Sequence, residues 1–251
     1  MKHRALILSS VFTILSGIGL SPGIAQANPD AIETGRLLAI LLDVGRVTIG
    51  ANLPLINDPE KGDKGFTPEV FEKQLTEKFK ERAKVDLANL KNEKVPASAK
   101  VLLHQLVEAS KQTVADYQPV INKQGVAFKG FIPATFGTQA AAKFSAKSGA
   151  YLKQTAKEGQ LRNPKNKADD FEAAQLKKFE DPSYPKTGDK IVSEVVDDGK
   201  AVRVVLPLYY GKGCLGCHGE PKGEKDISGY AKEGFKEGDN GGAISVKLAT
   251  K

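Results

Sequence analysis

The sequence predicts an α+β protein, and three observations predict it. Residues 30–51 are apolar around most of a helical circumference, and two further stretches before residue 123 carry apolar side chains at helical spacing. Two Val- and Ile-rich runs, 191–196 and 201–208, are joined by Asp197-Asp198-Gly199-Lys200, whose Asp-Gly pair suits a hairpin turn. A last such run covers 243–248. Helices followed by strands, rather than alternating with them, point to an antiparallel sheet.

The first segment reads as a targeting signal. Lys2 and Arg4 precede an apolar run over 5–20, and Ala25-Gln26-Ala27 supplies the small-x-small cleavage pattern, so 1–27 is assigned as a signal peptide cut after Ala27. An uncleaved anchor is the competing reading, but the run is short of the roughly 20 residues a span needs. The mature chain, 28–251, is read as one domain with N-terminal helices over 28–123 and a mixed part over 124–251. Losing Lys2 and Arg4 takes the net charge from +7 to +5. The charges are interspersed rather than blocked, nucleic acid is a poor partner for an exported chain, and the mildly basic surface reads first as a solvated face and second as a means of steering an acidic redox partner.

Leu37, Leu38, Ile40, Leu41, Leu42, Val44, Val47 and Ile49 make the first helix one that packs on two sides. Thr67 and Pro68 can cap and open the next, with Val70, Phe71, Leu75 and Phe79 inward and a continuation towards Leu90. A third starts after Pro96 with Ser98 as cap, carries Leu103, Leu106, Val107, Val114 and Tyr117 inward, and ends at Pro119. Residues 125–128 and 151–155 read as short strands, and 135–146 and 169–179 as helices.

The strand over 201–208 runs through Tyr209 and Tyr210 into Cys214-Leu215-Gly216-Cys217-His218, which holds both cysteines of the chain. This spacing reads as the attachment site of one covalent c-type haem. Two thiols can form thioethers to the porphyrin vinyl groups, and the following histidine binds the iron as proximal ligand. A thioredoxin-type pair should come early in a chain, between a strand and a helix. A zinc site needs four ligands, and His104 is the one further histidine after residue 27. A structural disulfide has no use for His218. Small Met/His cytochromes carry the motif near the start of a helical domain; here it is late, and Met1, the sole methionine, leaves with the signal.

Several blocks in order resemble a known family: Leu55-Ile56-Asn57-Asp58-Pro59, Phe131-Ile132-Pro133-Ala134, Leu152-Lys153-Gln154-Thr155 with Arg162-Asn163-Pro164, Cys214 to Gly219, and Gly238-Asp239 with Gly242-Ala243-Ile244-Ser245-Val246. The chain resembles the exported c-type-haem proteins with a PAS-like fold, a former domain of unknown function found as standalone cytochromes and as sensor ectodomains. The resemblance implies a PAS-like antiparallel sheet against which the haem packs, with helices closing the other side. Some relatives take a distal ligand from a cysteine of the long N-terminal helix. This chain has no such cysteine, and in its place the helix offers only apolar residues and Thr48, whose hydroxyl is a poor iron ligand.

His104 is a candidate distal ligand, although a half-exposed polar residue at a helix edge is the preferred reading; otherwise the iron would be five-coordinate or carry water. Arg162, Lys153 and Arg203 are candidates to pair with haem propionates. Tyr209 and Tyr210 flank the motif, and strand alternation allows at most one of them to touch the ring. Phe128, Phe131 and Phe136 are candidates for an apolar wall, with core packing the equal alternative. The expected function is a periplasmic monohaem one-electron carrier, not an enzyme, with no output domain, membrane span or coiled coil after the haem unit. The alternative is a module that binds or senses redox state or a diatomic gas for a separate partner.

Overall fold

The computed structural model describes residues 28–250, so the segment assigned as a signal lies outside the described residues. The chain forms seven α-helices and four strands among these residues: α1 Pro29–Ala51, α2 Leu53–Ile56, α3 Pro68–Ala83, α4 Ala97–Ile121, α5 Pro133–Ser148, β1 Tyr151–Thr155, α6 Asp170–Phe179, β2 Val192–Val196, β3 Ala201–Tyr209, α7 Leu215–His218 and β4 Asn240–Ala249. The strands make one antiparallel sheet in the order β1-β4-β3-β2. The expected α+β class with an antiparallel sheet is what the chain adopts.

α1 is the centre of the helical half. Asn28 accepts the backbone N–H groups of Asp30 and Ala31, and Pro29 opens the helix where its missing N–H costs nothing. Its apolar circumference is buried on one side by α3, α4 and α5 and on the other by β3 and β4, except for Val47, which is exposed near the end of the helix rather than packed. At Gly35 the helix crosses the sheet so closely that a Cβ would lie 2.7 Å from Val204 Cγ2. A side chain there would push α1 off the sheet.

The sheet has two covered faces. Val202, Val204 and Leu206 lie opposite Leu248, Val246 and Ile244, and all six join the main core with α1. Val205 and Ala243 face the other way, against Leu176 and Phe179 of α6. That side also buries Arg203, which donates to Asp169, Glu172 and Ser245. Glu172, fully buried, also accepts from the Tyr151 hydroxyl and Lys153, while its reciprocal bonds with Asp169 form the capping box that starts α6.

Several local expectations needed correction. Residues 125–128 form no strand: Gly125 has φ +77°, and the Lys129 N–H donates to the Asn57 side chain, which fixes a loop. α3 stops at Ala83 because Lys84 turns left-handed at φ 60°, and a separate 3₁₀ turn follows at Leu87–Asn92. Val70 is exposed rather than inward. Ser98 sits inside α4, its hydroxyl 3.1 Å from that of Thr34, so Pro96 rather than Ser98 precedes the helix. Pro119 lies within the last turn of α4 instead of ending it. By contrast, β1 and the hairpin of β2 and β3 fall where periodicity placed them, and Asp197, Asp198 and Gly199 all take positive φ in the turn.

Candidate haem-attachment site

The site begins where β3 leaves the sheet. Pairing with β4 slips after Leu208, so that Tyr209 faces Asn240 and Gly241 is left over. Asn240 stitches the bulge by donating to the carbonyls of Leu208 and Gly242. Gly241 lies against the Tyr210 ring, which a Cβ would meet at 2.9 Å. The Tyr210 backbone is then fixed on both sides, its N–H donating to Asp239 and its carbonyl accepting from Gly238. Tyr209 and Tyr210 consequently point to opposite sides, as alternation requires. Tyr209 lies near Lys186, 6.0 Å from its ring, and buries its hydroxyl without a partner; Tyr210 turns towards the motif.

Beyond Gly211 a 3₁₀ turn, Lys212–Cys214, runs directly into the one-turn helix α7. Cys214 is exposed, Cys217 half-buried, and neither is in a disulfide. Burial pushes the Cys217 thiol above its ordinary value, so it stays protonated at neutral pH. The His218 ring stacks on Tyr210 at 4.9 Å and 28°, and Tyr210 in turn stacks on Phe235 at 5.0 Å and 29°. The Phe235 N–H donates to the His218 carbonyl, which ties the end of α7 to the segment that follows the loop.

His218 Nδ1 is 2.9 Å from Glu233 Oε2. Burial lowers the affinity of the imidazole for a second proton, outweighing the opposite pull of Glu233, so the ring is neutral at pH 7. Burial would raise the Glu233 carboxyl, but hydrogen bonds from Arg162 and His218 hold it below its usual range. An ionised carboxylate only accepts, so the imidazole proton sits on Nδ1. Nε2 then carries a lone pair, and it makes no hydrogen bond among the described residues.

Arg162 holds this arrangement from outside. Its Nε and Nη2 donate to the two Glu233 oxygens at 2.9 and 3.0 Å, Nη1 donates to Asp226 at 2.7 Å, and Nη2 also donates to the Cys217 carbonyl at 2.9 Å. Tyr230 lies over the guanidinium, 5.2 Å from ring centroid to Cζ. Asp226 also accepts from the Ser228 hydroxyl and backbone N–H groups. Burial opposes its ionisation, yet these donors and Arg162 bring it down to about 2.

The candidates named from sequence divide sharply. Cys214, Cys217, His218, Tyr210 and Arg162 come together. Arg162 was expected beside a propionate, yet its donors are committed to Glu233, Asp226 and Cys217. Lys153 and Arg203 are likewise engaged, both by Glu172, on the face covered by α6. Phe131 and Phe136 belong to the helical core, Phe131 stacked on Tyr117 at 4.3 Å and Phe136 tilted against Phe71 at 5.2 Å. Phe128 is half-exposed in the loop before α5. Thr48 is buried and donates to the Val44 carbonyl within α1, so its hydroxyl is already used. That helix also offers Asp43 and Arg46, joined at 2.6 Å, which the sequence reading passed over. His104 is exposed, in a groove of about 640 Å³ with Glu69, Leu90 and Lys100 along the outside of α3 and α4.

The sequence reading missed Glu233, Asp226, Tyr230 and Phe235. The Asp226-Ile227-Ser228-Gly229 stretch is an Asx-turn signature and Gly229, Gly234 and Gly238 adopt positive φ, so a structured loop was legible. Its pairing with an arginine more than sixty residues upstream had no local signal. The donor set fits a covalently held haem: two thiols outside any disulfide at the required spacing, a neutral histidine with Nδ1 anchored and Nε2 open, and a stacked aromatic ring beside it.

No curated relative matches the chain. The crystal structure of the cyanobacterial haem protein Tll0287 is similar, with a TM-score of 0.41 and 17% identity, over 59% of this chain and 95% of that one. The family model described as Tll0287-like matches residues 72–249, which take in α4 to α6, all four strands and every residue of the site. The chain belongs to the Tll0287-like family.

Proposed function

We propose that this protein is an exported monohaem c-type cytochrome that passes single electrons to and from a separate redox protein. The observation that carries the reading is His218, whose Nδ1 is held by Glu233 while Nε2 stays open, in the same turn as two thiols outside any disulfide. Membership of a family named for a protein described as a haem protein supports it. Bound haem would supply an iron that takes up and releases one electron. Cys214 and Cys217 would tether it, and His218 would be its near ligand. Tyr210 stacks on the histidine and Phe235 on Tyr210, and Glu233 fixes the ring's tautomer and orientation. Cys214 is exposed and Cys217 half-buried, so the attachment point would be open to a partner protein. Among the described residues no helix is long and apolar enough to cross a membrane.

The test is a potentiometric titration of the exported, haem-loaded chain followed in its visible spectrum. The carrier reading predicts one reversible one-electron wave, and a chain that acquires no covalent haem contradicts it.

A second reading, binding of a diatomic gas for a sensing partner, is favoured by one observation. After residue 27 the chain holds no methionine and no cysteine besides Cys214 and Cys217, and His104 lies exposed in the groove along α3 and α4. Carbon monoxide added to the ferrous protein shifts the spectrum readily under this reading and leaves it unchanged if two protein ligands hold the iron.

A further inference from the structure

The carboxylate behind His218 is placed to act on more than the loop. Glu233 Oε2 receives two donors, His218 Nδ1–H at 2.9 Å and Arg162 Nη2–H at 3.0 Å, while Oε1 receives Arg162 Nε–H at 2.9 Å. We propose that Glu233 is a positioning residue that sets how strongly His218 donates to a metal through Nε2, and that Arg162 moderates it by competing for the same carboxylate oxygen. The inference rests on the haem reading above and goes beyond it, because attachment requires only the cysteines and the histidine.

A charged acceptor on Nδ1–H draws the proton outward and pushes electron density through the ring to Nε2, more strongly than a neutral carbonyl does. A stronger nitrogen donor favours the ferric state and lowers the reduction potential. The ring cannot escape the bond by rotating, since it is stacked on Tyr210 and the end of α7 is pinned at the His218 and Cys217 carbonyls. Arg162 withdraws charge from Glu233 through two hydrogen bonds, so the pair sets an intermediate strength. Asp226 keeps the guanidinium in place, and its own charge is satisfied by Ser228.

The role makes opposite predictions for two neighbours. Glu233→Gln weakens the bond to Nδ1–H, lowers the iron–histidine stretching frequency of the ferrous protein and raises the midpoint potential. Arg162→Gln releases Glu233 to His218, raises that frequency and lowers the potential. A carboxylate that only braces the loop leaves the stretching band unmoved in both variants, as does a purely through-space effect of charge on potential.

The experiment is resonance Raman spectroscopy and potentiometry on the haem-loaded wild type and both variants, after a haem stain of denaturing gels. Oppositely moving bands support the proposal, and unmoved bands in haem-loaded protein overturn it while leaving the cytochrome reading intact. Absence of covalent haem from the wild type overturns both. If the variants fail to fold, ¹⁵N chemical shifts of His218 in the haem-free wild type decide: a proton on Nδ1 in a strong hydrogen bond supports the proposal, and a proton on Nε2 overturns it.

Discussion

Among the described residues Arg82, Arg162 and Arg203 are each clamped by two carboxylates, and the clusters of Arg203 and Arg162 differ in where they lead. Arg203 lies on the sheet between Asp169 and Glu172 and also donates to Ser245; Glu172 is completed by Tyr151 and Lys153. Those partners belong to α6 and its cap, β1 and β4, so the network stays within the sheet and its covering helix, with Arg203 Nε left buried without a partner among the described residues. Arg162 lies between Asp226 and Glu233, but its network runs on into His218 and stops at a nitrogen with no partner. The same chemistry therefore serves to lock a sheet in one place and to hold the His218 ring in the other. Only the second cluster reaches the cysteine motif, at the Cys217 carbonyl.

The largest expected effect separates the clusters by cofactor. Replacing Cys214 and Cys217 together by alanine abolishes covalent haem, read as loss of the stained band on a denaturing gel. Arg203→Gln leaves that band in whatever fraction of the protein folds. Haem attachment surviving the double cysteine change would break the comparison.

Stability should rank the clusters the other way. Glu172→Ala removes a fully buried carboxylate and strands Arg203, Lys153 and the Tyr151 hydroxyl, at a cost of about 3–5 kcal/mol in denaturant unfolding. Arg162→Gln, at a partly exposed site where Asp226 retains its Ser228 donors, costs about 1.5–3 kcal/mol. Equal losses would mean that the loop is as integral to the fold as the sheet.

The Arg203 cluster also gives the protein an acid-sensitive element. Burial opposes ionisation of Glu172, but hydrogen bonds from Lys153, the Asp169 N–H and Tyr151 outweigh it and hold the carboxyl below its ordinary value of 4.5. A depressed native value means the stabilisation is complete above that ordinary value and is lost as pH falls through the lower native one. The wild type should thus lose stability below about pH 4.5 more steeply than Glu172→Gln, measured as the denaturation midpoint against pH. Parallel curves would show that Glu172 does not carry this dependence.

The smallest contrast concerns the aromatic rings over the two guanidinium groups, Tyr230 over Arg162 at 5.2 Å and Phe171 over Arg203 at 4.6 Å. Leucine at either position should cost about 0.5–1 kcal/mol, with the larger loss at Phe171, where Arg203 is more buried.

This contrast also explains what was legible beforehand. The hairpin of β2 and β3 was readable because an Asp-Gly turn and two β-branched runs are local signals. α1 was readable because its apolar residues cover its circumference. Cys214, Cys217 and His218 form a motif five residues long. Glu233 and its tie to Arg162 were not readable, because the two meet only after the chain has passed through α6, β2 and β3. For the same reason Arg203 and Lys153 were misassigned: a buried partner such as Glu172 cannot be seen from charge alone. Tyr210 was narrowed to one of two by alternation, and the bulge at Gly241 brought it against His218.

The most direct test of the central claim is the intact mass of the chain exported from cells equipped for c-type haem maturation, with and without the Cys214→Ala and Cys217→Ala changes. The account predicts a wild-type mass raised by one haem and an unmodified mass for the double variant. A wild-type chain carrying no haem, with Cys214 and Cys217 joined as a disulfide, would contradict it.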